Sequence, residues 1–320
     1  MPAPARPLAQ ALAEGTVVLD GGLSNQLADQ GCDLDDALWS ARLLADEPEQ
    51  IEAAHTAYVR AGARVLITSS YQATYEGFAA RGIGREGTTA LLRRSVALAR
   101  AAARDREDVW VAASVGPYGA MLADGSEYRG RYGLAVAELE RFHRPRIETL
   151  AEAGPDVLAL ETVPDTDEAE ALLRAVEGLG VPVWLSYTVA DGATRAGQPL
   201  EEAFRIAADT DEVIAVGVNC CDPADAARAV ETAAATVDLP VVVYPNSGEA
   251  WDERGRTWSG APAFDPDLAS AWQRAGARLI GGCCRVGPAQ ISALASVLAP
   301  QPGKTAVRGH GGQAILRRCS

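Results

Sequence analysis

VIAVGVNCCDPADAARAVETAAATVDLPVVVY, residues 213–244, decides the fold class. Val213–Asn219 is a continuous apolar run, without the alternation of a strand that has one wet face, so it reads as a strand buried on both sides. Asp222 followed by Pro223 is a helix start, with a carboxylate at the cap and proline at the first helical position. From Asp222 to Ala235 the apolar residues recur at helical spacing, and a second apolar run follows at Pro240–Tyr244. Strand, crossover helix and strand in this order make a parallel βαβ unit.

The same unit repeats on both sides of this segment. Strands are predicted at Thr16–Asp20, Arg64–Ser70, Val109–Val115, Asp156–Glu161, Val183–Thr188, Val213–Asn219, Pro240–Tyr244 and Ala277–Gly281. Helical periodicity fills the intervals, as in Pro48–Ala61, Thr88–Arg104, Ala135–Ala153, Asp167–Leu179 and Pro266–Ala275, the last capped by Asp265. Eight such units read as an α/β fold of the (β/α)8 TIM-barrel type, which typically takes about 250 residues. An open doubly wound sheet is the alternative that the pattern alone allows. The expected organisation is one barrel domain over residues 1–300, followed by a flexible, Gly-rich basic tail over 301–320. Ser114–Gly133 reads as a long loop across the barrel mouth. Gly82-x-Gly84-x-x-Gly87 matches the dinucleotide fingerprint but does not turn directly from strand into helix, so it reads as an ordinary loop.

Composition narrows the function. The chain has 320 residues, 48% hydrophobic and 22% charged, enough apolar material for a large core. With 29 basic against 43 acidic residues the net charge is −14, which argues against nucleic acid and anionic membrane surfaces as partners. Lys304 is the single lysine, so Schiff-base chemistry, pyridoxal phosphate anchoring and a P-loop are excluded. No apolar run approaches the roughly 18 residues of a membrane span. The N-terminal stretch, with Gln10 and Glu14, lacks the unbroken apolar core of a secretory signal. A cytoplasmic location is expected, where thiols stay reduced.

The strand ends carry the chemistry. Asp20-Gly21-Gly22, Thr68-Ser69-Ser70-Tyr71, Gly116-Pro117-Tyr118, Glu161-Thr162, Asn219-Cys220-Cys221, Tyr244-Pro245-Asn246 and Gly281-Gly282-Cys283-Cys284 all follow apolar runs. In a barrel these ends meet at one face, the face on which barrel enzymes work. Cys220, Cys283 and Cys284 make a three-thiolate set that leaves a zinc position open, the pattern of a reactive rather than a structural site. Buried free thiols and a vicinal disulfide at Cys283–Cys284 are the alternatives. Cys221, as the neighbour of Cys220, is expected to point away. Asp20 and Glu161 can hold an ammonium group or act as bases; the alternative is a salt bridge to an arginine. Tyr71, Tyr118, Glu127 and Tyr128 are candidates to face a cationic donor, against a plain packing role for each. His55, His143 and His310 lie outside these clusters and read as solvent-facing or packing residues.

Taken together, LDGGLSNQL (19–27), ITSSYQAT (67–74), GPYGAMLADGSEYRGRYG (116–133), ALETVPD (159–165), GVNCC (217–221), VYPNSGEAWD (243–252) and GGCCR (281–285) closely resemble the homocysteine S-methyltransferases. The resemblance runs from about residue 16 to 299 and is nearest to the small single-domain enzymes that use S-methylmethionine or S-adenosylmethionine. It implies a (β/α)8 barrel with one Zn2+ on Cys220, Cys283 and Cys284. Asp20 and Glu161 are then placed around the amino group of homocysteine, with Gly21, Gly22, Thr68 and Asn219 as further substrate-binding residues. The implied partners are two small molecules, homocysteine and a sulfonium methyl donor, and the implied product is methionine. A selenocysteine or other thiol acceptor, or a non-catalytic zinc- or thiol-binding barrel, are the rival readings. Two positions depart from the family pattern: Asn25 stands where many relatives have threonine, and RAGQPL (195–200) lacks an expected aspartate.

Overall fold

Eight parallel strands are present in the computed structural model: Val17–Val18 (β1), Val65–Ile67 (β2), Trp110–Val115 (β3), Val157–Val163 (β4), Val183–Tyr187 (β5), Val213–Asn219 (β6), Val241–Tyr244 (β7) and Ala277–Ile280 (β8). They form one sheet in the order β1-β8-β7-β6-β5-β4-β3-β2. A parallel bridge between Leu19 and Val65 joins the two ends, so the sheet rolls into a barrel. Arg64 N–H donates to the Val18 carbonyl at 2.8 Å and Asp20 N–H to the Val65 carbonyl at 3.0 Å across the same seam. The structure describes residues 4–34, 38–104, 106–208, 210–252 and 257–299. The predicted tail, with Lys304, His310 and Cys319, lies outside the described residues.

The eight predicted strands and the helices between them are found, with ends moved by a few residues. β1 is shorter than predicted because Leu19 makes only a single bridge and Asp20 already belongs to the turn. β2 stops at Ile67: Thr68 N–H still reaches the Ala112 carbonyl, at 2.9 Å, but Ser69 and Ser70 turn away. Helix Pro48–Ala61 has proline at its start and ends on Gly62, whose φ of +108° is the left-handed stop that glycine adopts freely. Asp222 caps Pro223–Thr236 as predicted, its side chain accepting the Ala224 N–H. The last-but-one helix starts later than predicted, at Leu268, and Asp265 accepts the Asp267 N–H from one turn ahead of it. The Ser114–Gly133 segment is not a plain loop: it holds a short helix, Tyr118–Leu122, and a 3-10 turn, Ser126–Tyr128. No helix among the described residues is long and apolar enough to cross a membrane.

Strand periodicity divides the apolar residues into two layers. Val17, Leu19, Val65, Trp110, Ala112, Val157, Ala159, Trp184, Ala215, Val242 and Leu279 fill the barrel, while neighbours such as Val111, Leu158, Leu160, Val216 and Val243 pack outward under the helices. The N-terminal helix, Leu8–Glu14, presents Leu8, Ala11 and Leu12 at i, i+3 and i+4, and these join the interior cluster. At Gly217 a side chain would run into the Val242 carbonyl, so β6 and β7 approach there only because the residue is glycine. Neither His55 nor His143 faces solvent; both are fully buried in the helix layer, His55 as a packing residue and His143 with its ring nitrogens 2.9 Å from Glu168 and 2.7 Å from Arg146.

Candidate metal and substrate site

The inward period-2 face changes character at the upper end of the barrel. Continuing Val157 and Ala159 by one step gives Glu161; the same step gives Ser114 on β3, Ser186 on β5, Asn219 on β6 and Tyr244 on β7. These polar side chains form one buried network. Ser114 Oγ–H donates to Glu161 Oε1. Tyr244 O–H donates to Glu161 Oε2 at 3.0 Å, and Tyr244 in turn contacts Ser186 Oγ at 2.8 Å and accepts the Trp184 Nε1–H at 3.1 Å. Ser114 and Ser186 were not among the predicted site residues. Their signal was available: each is the one serine in a short, otherwise hydrophobic strand, and it falls on the inward face.

Two of these strand ends, and the loop after β8, carry a non-glycine residue with left-handed backbone: Thr162 at φ +59°, Cys220 at +48° and Arg285 at +67°. Such residues are uncommon and cluster at functional sites. Each is held by a neighbour. Asn219 Oδ1 accepts the Thr162 N–H at 2.7 Å, Thr188 Oγ1 donates to the Cys220 carbonyl at 3.1 Å, and Asn25 Oδ1 accepts the Arg285 N–H at 2.6 Å.

The kinks bring the cysteines together. The sulfurs of Cys220, Cys283 and Cys284, the first of them 63 residues before the second in the chain, all lie within 4.8 Å of one another. Cys220 and Cys283 are joined as a disulfide, and Cys284 is free. The vicinal Cys283–Cys284 bond is thus not formed; the bond runs across the barrel rim instead. Cys221 lies outside the cluster, buried among the apolar residues under the helices. Three thiolates fit a soft or borderline cation, and tetrahedral zinc with bonds of about 2.3 Å needs sulfurs about 3.8 Å apart, within reach of these side chains once the disulfide is reduced. Burial pushes the Cys284 thiol up to about 12, so the group stays protonated until a cation displaces its proton.

Two carboxylates stand beside the sulfurs without a cation. Glu161 is held at about 7, well above an ordinary carboxylate, chiefly by burial and against the stabilising bonds from Ser114 and Tyr244. Asp20 is also raised well above its usual value, again by burial first and further by the charge of Glu161. Its Oδ2 accepts the Ile67 N–H at 2.9 Å, while Oδ1 is buried with no partner among the described residues. Neither acid is ion-paired with an arginine among the described residues, contrary to the salt-bridge alternative. A cavity of about 110 Å³ opens here, with Gly21, Gly22, Thr68, Glu161, Cys220, Cys283 and Cys284 in its wall together with Tyr71, Glu127 and Tyr128. Asp20 itself lies just behind the wall, between Gly21 and Ile67, which line it.

The comparisons with known proteins agree with this geometry. Residues 17–298 match the family model for homocysteine S-methyltransferase. The chain belongs to that family. It is 44% identical over 290 residues to the homocysteine S-methyltransferase of Escherichia coli K12, covering 87% of this chain and 94% of that one. It is 42% identical over 297 residues to YbgG of Bacillus subtilis 168, covering 88% and 93%. Among solved structures, the E. coli homocysteine methyltransferase MmuM in metallated form superposes with a TM-score of 0.82 at 42% identity, over 91% of this chain and 99% of that one. The oxidized form of the same E. coli protein superposes with a TM-score of 0.82 as well.

In this homocysteine S-methyltransferase, two predicted site residues besides Asp20 stand outside the cavity wall. Tyr118 is not in the cavity wall. Its ring packs against Tyr132 and Phe142, at centroid distances of 5.2 and 4.9 Å, and its N–H is held by Glu168, so it belongs to the helix layer. Asn219 does not line the cavity either. Its amide is spent on Thr162, through the backbone N–H and Oγ1, and on Ser186, so it sets the bend beside Glu161 rather than offering a group to a ligand. Of the two departures from the family pattern, Asn25 lines the cavity and binds the Arg285 backbone. In RAGQPL, Gln198 donates to Asp165 Oδ1 at 2.8 Å, and the Arg195 guanidinium lies 5.4 Å from the centre of the Tyr128 ring. One face of Tyr128 is therefore already occupied by a cation.

Proposed function

We propose that Cys220, Cys283 and Cys284 hold Zn2+ in the reduced protein and that the methyl donor is a sulfonium, S-methylmethionine or S-adenosylmethionine. The reaction is the family's: a methyl group passes to the sulfur of homocysteine, giving methionine. Zinc supplies one thing, a lowered thiol pKa that keeps the substrate sulfur as a thiolate near neutral pH. Asp20 and Glu161, buried and without a cationic partner, take the substrate's ammonium group, which completes their charge and orients the amino acid. Gly21, Gly22 and Thr68 shape the wall against it. In the transfer the sulfonium S–CH3 bond breaks, its electron pair stays on the leaving sulfur as a neutral thioether, and a new S–CH3 bond forms on homocysteine. The homocysteine thiol proton goes to solvent, so no base is needed in the transfer step. Glu127, Tyr71 and Tyr128 line the same cavity as the thiolates, and this lining of carboxylate and aromatic rings suits a cationic donor over a neutral one.

The observation that carries the zinc reading is the convergence of three sulfurs at the rim beside two unpaired buried acids. A cytoplasmic location fits it, because the Cys220–Cys283 pair ligates only when reduced. Methionine formation from homocysteine is to be measured with S-methylmethionine, S-adenosylmethionine and betaine, together with metal analysis of wild type and Cys283→Ser. Stoichiometric zinc and turnover retained in Cys283→Ser refute the metal assignment; turnover with betaine alone refutes the sulfonium donor.

A further inference from the structure

We propose that Asn246 is the positioning residue of the metal centre, setting the distance between its two cysteine-bearing loops. The inference rests on the zinc reading above. Asn246 lies on the loop after β7, between the loop after β6 that carries Cys220 and the loop after β8 that carries Cys283 and Cys284. Its backbone N–H donates to the Cys221 carbonyl at 2.9 Å. Its side-chain Oδ1 accepts the Cys284 N–H at 3.1 Å. One residue thus binds both loops.

Its neighbours extend the same grip. Cys283 N–H donates to the Pro245 carbonyl at 2.7 Å, and Ser247 N–H donates to the Cys284 carbonyl at 2.9 Å. Residues 245–247 therefore meet the 283–284 pair with three bonds in succession. The need for this is geometric. Adjacent side chains on a strand point to opposite faces, so two consecutive cysteines reach one ion only where the backbone is held off strand geometry. Arg285, the next residue, completes the departure with its left-handed backbone, and Asn25 fixes its N–H. Most of these ties are backbone to backbone and do not depend on the side chain at 246. The Asn246 side chain supplies the one that aims the Cys284 peptide, and groups that orient metal ligands typically change metal affinity 10- to 100-fold when removed.

The test uses the reduced full-length protein, with zinc affinity measured by competition with a chromogenic chelator. Asn246→Leu removes the acceptor; Asn246→Asp keeps an oxygen at the same reach; Asn246→Ser is a smaller polar change for use if the leucine variant does not fold. Expected are a zinc Kd about 10- to 100-fold weaker for the leucine and serine variants and recovery to within about threefold of wild type for the aspartate variant. Cobalt(II) loaded in place of zinc gives a second readout: its visible thiolate bands shift in the leucine and serine variants and return in the aspartate variant. Unchanged zinc Kd and cobalt spectrum in the leucine or serine variant overturn the proposal. So does an equal loss in all three accompanied by lowered metal-free Tm, which marks a purely structural residue. Wild-type protein that binds no zinc overturns the metal reading itself, a result distinct from wild-type binding that the variants do not change.

Discussion

Glu161→Gln is predicted to stabilise the metal- and substrate-free protein while weakening its substrate binding. Glutamine keeps both contacts of the carboxylate: its oxygen accepts from Ser114, one amide N–H donates to the Tyr244 oxygen, and the phenol hydrogen turns to Ser186, 2.8 Å away. What changes is the charge. Burial raises Glu161 from 4.5 to about 7, so folding favours its neutral form. Stability from a group raised in this way is complete below about pH 4.5 and is lost as the pH rises through 7. At about 1.36 kcal/mol per unit, ionising Glu161 in the folded state costs about 3 kcal/mol at pH 8 and about half of that at pH 5.5. The glutamine variant escapes this cost. Its Tm should exceed that of wild type by about 4–5 °C at pH 8, with the gap narrowing toward pH 5.5. The same variant loses a charge-assisted bond to the substrate ammonium, about 1.5–3 kcal/mol, or a roughly 10- to 150-fold rise in the KM for homocysteine. Thermal unfolding at the two pH values and steady-state methionine formation measure both limbs. A variant less stable than wild type at pH 8, or a gap that does not narrow with falling pH, refutes the burial argument. An unchanged KM refutes the ammonium role.

Asp20→Asn should raise the KM for homocysteine at least tenfold without lowering Tm at pH 8, since an unpaired buried carboxylate oxygen is replaced by a neutral amide. A large fall in Tm with an unchanged KM would mark Asp20 as structural. His55 is fully buried, has no ring partner among the described residues and is lowered by burial to about 4. Its contribution to stability is held above pH 6.5 and lost as the pH falls toward 4, so His55→Leu should flatten the acid limb of a denaturation-midpoint profile; parallel slopes for variant and wild type would contradict this. Gly217→Ala drives a methyl group into the Val242 carbonyl between β6 and β7, and a loss of several kcal/mol, seen as a lower Tm or insoluble protein, is expected. A soluble variant of wild-type Tm would show that these strands can part at no cost.

The architecture was legible in the residues because each strand–helix unit announces itself locally. Apolar runs such as Val213–Asn219 and Val241–Val243 report burial on both faces, and caps such as Asp222-Pro223 and Pro48 with Gly62 report where helices start and stop. The sulfurs and the two acids were legible as types of residue at strand ends. Their arrangement was not. Whether Cys283 bonds Cys284 or Cys220 depends on kinks at Cys220 and Arg285 that are held by side chains from other strands, Thr188 and Asn25, far away in sequence. Asn219 and Tyr118 carried the right chemistry in the right motifs, yet the Asn219 amide is consumed by Thr162 and Ser186 and the Tyr118 ring is packed against Tyr132 and Phe142, partners that only the closed barrel brings near. Propensity and periodicity act between neighbours in the chain and so specify elements. Which buried polar group is left without a partner, and is therefore available to a ligand, is decided only when hydrogen bonds form between elements.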